Sequence, residues 1–177
     1  EATVVRRLGG IVLLRVRAKL HLAPLLAAST GSIRIGLAWQ GSASHPRDAE
    51  RSIPLASLAP LANLPHVVWY SFQREEAPIP PFDAMVHLGP RLSTFSDSAF
   101  ALEAMDLVIT VDTALAHLAG ALGIPVLLLV THQPDWRWLL HRDDSPWYPT
   151  LRLYRQPAAG DWAAVVQRVL ADLTSHG

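Results

Sequence analysis

Residues 112–117 read Asp-Thr-Ala-Leu-Ala-His, directly after the apolar run LVITV (107–111) and at the head of a segment built mostly of alanine and leucine. An apolar run that ends in this way and turns into a helix leaves free main-chain N–H groups at the helix start, and the helix dipole adds partial positive charge there. An anion, above all a phosphate, is the natural occupant of such a place. Thr113 and Ala114 are small enough to let a phosphate approach the main chain. The same residues also fit a plainer purpose, the capping of the helix by the Asp112 or Thr113 side chain. His117 lies about one turn further on. It either donates to a phosphate or sugar oxygen or packs half-buried beneath the strand ends. No second histidine or carboxylate stands at ligand spacing from it, so no metal site is expected. Asp143-Asp144 resemble the paired acids that hold a metal–diphosphate, but their setting, HRDDSPWYP, suits a turn or a helix cap.

Strands must deliver these residues to one edge. Apolar runs predict strands at 33–39, 66–72, 84–89, 107–111, 126–130 and 151–155. Between them the pattern predicts helices at 54–63, bent at Pro60, at 96–105 with Ser96 as N-cap, at 113–122 closed by Gly123 and Pro125, and from the Asp161 cap to about 173. The strands are continuous apolar runs, as expected when both faces of a sheet are covered. The expected fold is therefore α/β, a doubly wound, mostly parallel, Rossmann-like sheet of five to six strands. Ligands in such sheets bind beyond the carboxyl ends of the strands, which singles out the loops 40–52, 73–83, 89–96, 112–114 and 131–149. Residues 1–32 read as a basic helical lead-in and linker, broken at Gly9-Gly10 and Pro24, and residues 33–177 as the folded domain.

With 177 residues, half of them hydrophobic and 17% charged, the chain can bury one substantial core. Its formal net charge is zero, which offers nucleic acid no basic field. The charge is uneven: Arg6, Arg7, Arg15, Arg17, Lys19 and Arg34 face only Glu1 in the first 34 residues. A solvated helix or linker accounts for that start better than a membrane-surface helix, because the apolar spacing is irregular. There is no cysteine, hence no disulfide and no thiolate metal site. No apolar run is long enough to span a bilayer, and no secretory signal is evident, so a cytoplasmic location is expected. The sequence lacks an initial Met, which suggests a fragment. Neither a G-x-G-x-x-G nor a P-loop pattern is present, which removes the main support for nicotinamide-cofactor and P-loop readings. A G-x-S-x-G elbow is also absent.

The series IGLAWQGS, the Arg-Ser-Ile-Pro segment, VVWYSFQ and MDLVITVDTALAHLAGALGIPVLLL resembles the C-terminal half of heptosyltransferase-like glycosyltransferases of the GT-B fold. With the tail PDWRWLLHRDDSPWYPTLRLYRQPAAGDW, it is similar to the version found at the end of bacterial tetratricopeptide-repeat proteins. The resemblance covers roughly 33–173 and implies a domain that binds a nucleotide-diphosphate sugar without a metal or other cofactor. It implies that Asp112, Thr113, Ala114 and Leu115 hold the diphosphate through main-chain amides, joined by His117. It further implies Gly41, Ser42 and Arg51 as phosphate contacts after the first strand, and Gln73 as a nucleoside contact. Family members take a catalytic carboxylate from an N-terminal acceptor domain, which the thirty-odd residues before Ile33 are too few to form. The catalytic residue is therefore left unassigned, with His117 one candidate. An upstream acceptor domain or helical repeats are expected in the parent protein, and the acceptor, glycan or protein, is open.

Two function classes follow. One is a glycosyltransferase donor domain, in which helix amides and a guanidinium stabilise a leaving nucleoside diphosphate. The other is a non-catalytic nucleotide-binding or protein-interaction module on a repeat scaffold. The cluster Trp136, Trp138, Trp147 and Tyr148 reads either as a clamp tying the long loop to the body or as a partner surface.

Overall fold

The structure, a computed structural model, describes residues 5–8, 11–14, 23–26, 32–74, 82 and 84–175. Two short strands come first, β1 (Val5–Leu8) and β2 (Ile11–Leu14), paired antiparallel. This corrects the helical reading of that segment. The sequence reason is plain in hindsight: Gly-Gly sits between two runs rich in valine, isoleucine and leucine, which is a hairpin signal. The rest of the lead-in, apart from a short 3-10 turn at Ala23–Leu26, lies outside the described residues, as do 75–81 of the proline-rich loop.

The body is a six-stranded, wholly parallel sheet. In chain order its elements are β3 (Ile33–Ala38), the one-turn helix α1 (Asp48–Arg51), α2 (Ala59–Ala62) and β4 (Val67–Ser71). Then come β5 (Val86–His87), α3 (Phe95–Leu102), β6 (Leu107–Val111) and α4 (Ala114–Ala121). The last are β7 (Val126–Val130), β8 (Leu151–Arg155) and α5 (Trp162–Thr174). Strand order is β5-β4-β3-β6-β7-β8. The chain thus builds outward from β3 in one direction and from β6 in the other, and the order reverses between those two strands.

Side chains alternate between two cores along each strand. Val108, Val126, Leu128, Leu151 and Leu153 face one side, with Ala101, Leu102, Ala116 and Ala119 from α3 and α4. Ile35, Leu37, Ile109, Val111 and Leu129 face the other, with Leu58 and Leu61 around α2 and Val165, Val166 and Val169 of α5. Burial on both faces is why the strands read as unbroken apolar runs. The buried Ala116 and Ala119 of α4 let that helix sit close to the sheet.

Helix boundaries shift in two places. Pro60 falls at the start of α2 after a 3-10 turn at Leu55–Leu58, so the expected bent helix is a 3-10 turn followed by a single α-turn. In α3 the N-cap is Thr94, not Ser96. Thr94 and Asp97 form a reciprocal capping box, which outcompetes a serine two residues later.

Candidate functional site

The reversal between β3 and β6 opens a crevice where their two following loops part. It has two lobes. One, of about 600 Å³, is lined by the loop after β3 (Gln40–Ala43), by Phe72 and Gln73 after β4, by Phe95, and by Thr113, Ala114, Leu115 and Leu118 of α4. The other, of about 450 Å³, is lined by His45, Arg47, Glu50, Asp112, His117, Gln133, Asp135 and Arg137 among others. Arg51, Thr113 and Ala114 border both lobes and form the ridge between them.

The ridge is the start of α4. Thr113 occupies the N-cap position with extended backbone (φ −139°, ψ 170°), yet its side chain makes no cap hydrogen bond. Its Oγ1 lies 3.4 Å from Thr110 Oγ1 instead. Ala116 N–H bonds back to the Thr113 carbonyl at 3.1 Å. Among the described residues, the N–H groups of Ala114 and Leu115 have no protein acceptor. The other two long helices are closed differently, α3 by its capping box and α5 by Asp161 Oδ1 accepting from Ala164 N–H at 3.0 Å. The capping alternative therefore does not hold for α4, whose first amides stay open toward the crevice.

Arg51 stands against those amides. Its Nη1 donates to the Asp112 carbonyl at 2.9 Å and its Nε to Asp48 Oδ1 at 3.1 Å, so the guanidinium ties the β3 loop to the β6 loop. Asp48, buried, also accepts from Ser52 Oγ at 3.2 Å, and Ser52 Oγ accepts from Gly41 N–H at 3.3 Å. Gly41 leaves the space that this side-chain packing fills. A Cβ there would stand 2.4 Å from both Arg51 Nη2 and Asp48 Oδ1. Asp48 was missed in the sequence, although its i,i+3 spacing to Arg51 is the signal of a side-chain pair on one helical turn.

Gln73 is buried, and its Oε1 accepts from Gln40 N–H at 3.1 Å. What it can offer a ligand is its NH2 group. Ser42 is exposed and shares a 2.8 Å hydrogen bond with Ser44. His117 stacks on Trp138, with centroids 5.0 Å apart and planes 20° apart, and its Nδ1 lies 3.1 Å from Tyr148 Oη. All nine expected residues thus border one crevice: Gly41, Ser42, Arg51, Gln73, Thr113, Ala114 and Leu115 on the larger lobe, Asp112 and His117 on the smaller.

The smaller lobe is lined by charges that neutralise one another. Arg47 donates to Glu50 Oε2 at 2.8 Å and to the Gln133 carbonyl at 3.0 Å, linking the β3 and β7 loops. Arg137 donates to Asp135 Oδ1 at 2.8 Å. Burial pushes the Asp135 carboxyl up, but the Arg137 main-chain N–H and guanidinium hold it below its ordinary value. The aromatic cluster divides. Trp138 is fully buried and Tyr148 packs on Gly120, as a clamp requires, whereas Trp136 and Trp147 stay exposed.

A family model described as glycosyltransferase family 9 (heptosyltransferase) matches residues 77–147, a stretch that includes β5, α3, β6, α4, β7 and most of the aromatic loop. Protein FlbA of Caulobacter vibrioides is 28% identical over 149 residues, covering 79% of this chain and 25% of FlbA. The fold is similar to that of the E. coli ADP-heptose LPS heptosyltransferase II, with a TM-score of 0.58 at 18% identity over 95% of this chain and 55% of that one. It is also similar to a family 9 glycosyl transferase from Veillonella parvula, with a TM-score of 0.55 at 14% identity over 91% of this chain and 43% of that one. The architecture is thus the α/β, Rossmann-like fold seen in GT-B heptosyltransferase structures. The chain spans 25% of the length of the curated relative and about half of the matched structures.

Proposed function

We propose that this chain is the donor-binding domain of a glycosyltransferase and holds a nucleoside-diphosphate sugar for transfer to an acceptor hydroxyl. The observation that carries the reading is the uncapped start of α4 at the strand-order reversal, with Arg51 beside it. The diphosphate sits on the ridge, where the Ala114 and Leu115 amides and the Arg51 guanidinium meet its charge without a metal. The larger lobe takes the nucleoside, because Phe72, Phe95, Leu115 and Leu118 give it apolar walls and Gln73 and Gln40 a polar end. The smaller lobe takes the glycosyl group, whose hydroxyls suit paired carboxylates and guanidinium groups.

In transfer, the acceptor oxygen attacks the anomeric carbon and the nucleoside diphosphate leaves. The role of these residues is to stabilise the charge that develops on the leaving phosphates. Of the smaller lobe's carboxylates, the Asp112 side chain has no ion-pair or hydrogen-bond partner among the described residues, whereas Glu50 and Asp135 are engaged in ion pairs. That same pairing favours a second reading, a binding module that holds the nucleotide sugar without transferring it. The test is a thermal-shift panel of nucleoside diphosphates and their sugars. ADP-linked sugars come first, given the similarity to the heptosyltransferase II fold. Bound ligand raises the melting temperature through RT ln(1 + [L]/Kd). A diphosphate that stabilises the domain where its monophosphate does not supports the reading; a flat panel overturns it.

A further inference from the structure

His117 is held by two aromatic side chains. Trp138, 1% exposed, stacks on its face. Tyr148 meets it edge to face at 5.7 Å, with its hydroxyl 3.1 Å from Nδ1. Tyr148 can lie there only because α4 carries Gly120, where a Cβ would stand 2.5 Å from the Tyr148 Cγ. The imidazole also borders the smaller lobe beside Thr113 and Ala114. With Nδ1 turned to Tyr148, the Nε2 edge is the one left for the crevice. Among the described residues Nε2 has no hydrogen-bond partner.

We propose that Tyr148 is a positioning residue that fixes the orientation and tautomer of His117, so that Nε2–H is presented to a phosphate or glycosyl oxygen in the crevice. The chemistry runs through the hydroxyl. A phenol is a ready donor, and when it donates to Nδ1 of a neutral imidazole the ring proton must sit on Nε2. The ring then serves as a hydrogen-bond donor without being charged. Trp138 and Gly120 belong to the same device, the first fixing the plane of the ring and the second admitting the tyrosine. The aromatic loop is thereby coupled to the ligand site through one side chain. The ligand half of this inference rests on the donor-binding reading; the tautomer half does not.

The test is long-range 1H–15N NMR of the histidine rings, with His117→Gln to assign the signal, on wild type, Tyr148→Phe and Gly120→Ala. The expected result is an Nε2–H tautomer in the wild type and a mixed tautomer in both variants, one losing only the hydroxyl and the other displacing the ring. A wild-type Nδ1–H tautomer, or one unchanged in Tyr148→Phe, overturns the proposal. Calorimetry with inorganic pyrophosphate supplies the second readout, with an affinity loss of about 3- to 10-fold expected for Tyr148→Phe. Equal affinity of the two proteins also overturns it. If the wild type binds neither pyrophosphate nor any nucleotide, the donor-binding reading fails, while the tautomer result still decides the role of Tyr148.

Discussion

Arg51 concentrates the chemistry of the site at a single residue. Its side chain is 19% exposed, the guanidinium satisfied on one side by Asp48 and the Asp112 carbonyl and bordering both lobes. Arg51→Ala is expected to weaken nucleoside diphosphate binding by about 10- to 100-fold, the scale of a lost charge-assisted hydrogen bond, as read by calorimetry. Arg51→Lys should recover only part of that loss, since an ammonium cannot span Asp48, the Asp112 carbonyl and a phosphate together. Arg51 was legible because a basic residue follows the first strand in the resembled family. Its partner Asp48 was not, because the i,i+3 spacing to Arg51 counts only once the loop 40–52 is known to hold a helical turn that buries the acid. Of the two readings the sequence left open at Thr113, the side-chain cap does not form: its hydroxyl lies near Thr110 and leaves the amides free.

At the scale of the element, α4 carries the claim. Thr113 already has the extended backbone that a following proline demands, and position 114 is the first residue of the helix, where proline is tolerated. Ala114→Pro should therefore delete one open N–H while changing stability by less than about 1 kcal/mol. Strand β3 is fastened to the turn before β6 by Arg34, whose main-chain N–H and side chain donate to Asp106 at 2.8, 3.2 and 3.0 Å. The Arg34 hydrogen bonds hold the Asp106 carboxyl below its ordinary 3.8 against the opposing effect of burial. A depressed carboxyl stabilises the fold above its unfolded-state pKa and loses that contribution as pH falls through the folded one. Asp106→Asn is expected to flatten the acid limb of a stability–pH curve below about pH 4. Its effect at neutral pH is within about 1 kcal/mol, because the pair is partly exposed and screened. Strands and the long helices were legible from apolar runs and small-residue segments. The aromatic loop was not. Leu139 (φ 49°) and His141 (φ 60°) adopt backbone that such side chains avoid, and Arg155, donating to the Trp138 and Leu139 carbonyls, helps hold the loop there. No local pattern announces a conformation imposed by a residue more than a dozen positions away.

For the whole molecule, the sheet is both scaffold and locator. Leu128 lies at the centre of β7, fully buried in the core between the sheet and α4. Leu128→Ala should cost about 2–5 kcal/mol in denaturant unfolding. If the site is only perched on this scaffold, ligand affinity of the folded fraction should stay near that of the wild type. The doubly wound order was foreseeable from alternating strands and helices. The hairpin β1–β2 was not credited, because two four-residue strands with arginines on one of them give too little periodicity to outweigh a helical reading. No helix among the described residues is long and apolar enough to cross a membrane.

The most direct test of the donor-site account is a calorimetric titration of wild type and Ala114→Pro with the nucleoside diphosphate that stabilises the domain best. The account predicts matched melting curves without ligand and an affinity at least about 10-fold weaker in the proline variant, the cost of one missing N–H to a charged phosphate. Equal affinity in two equally stable proteins would contradict it, because the diphosphate would then be held somewhere other than the start of α4.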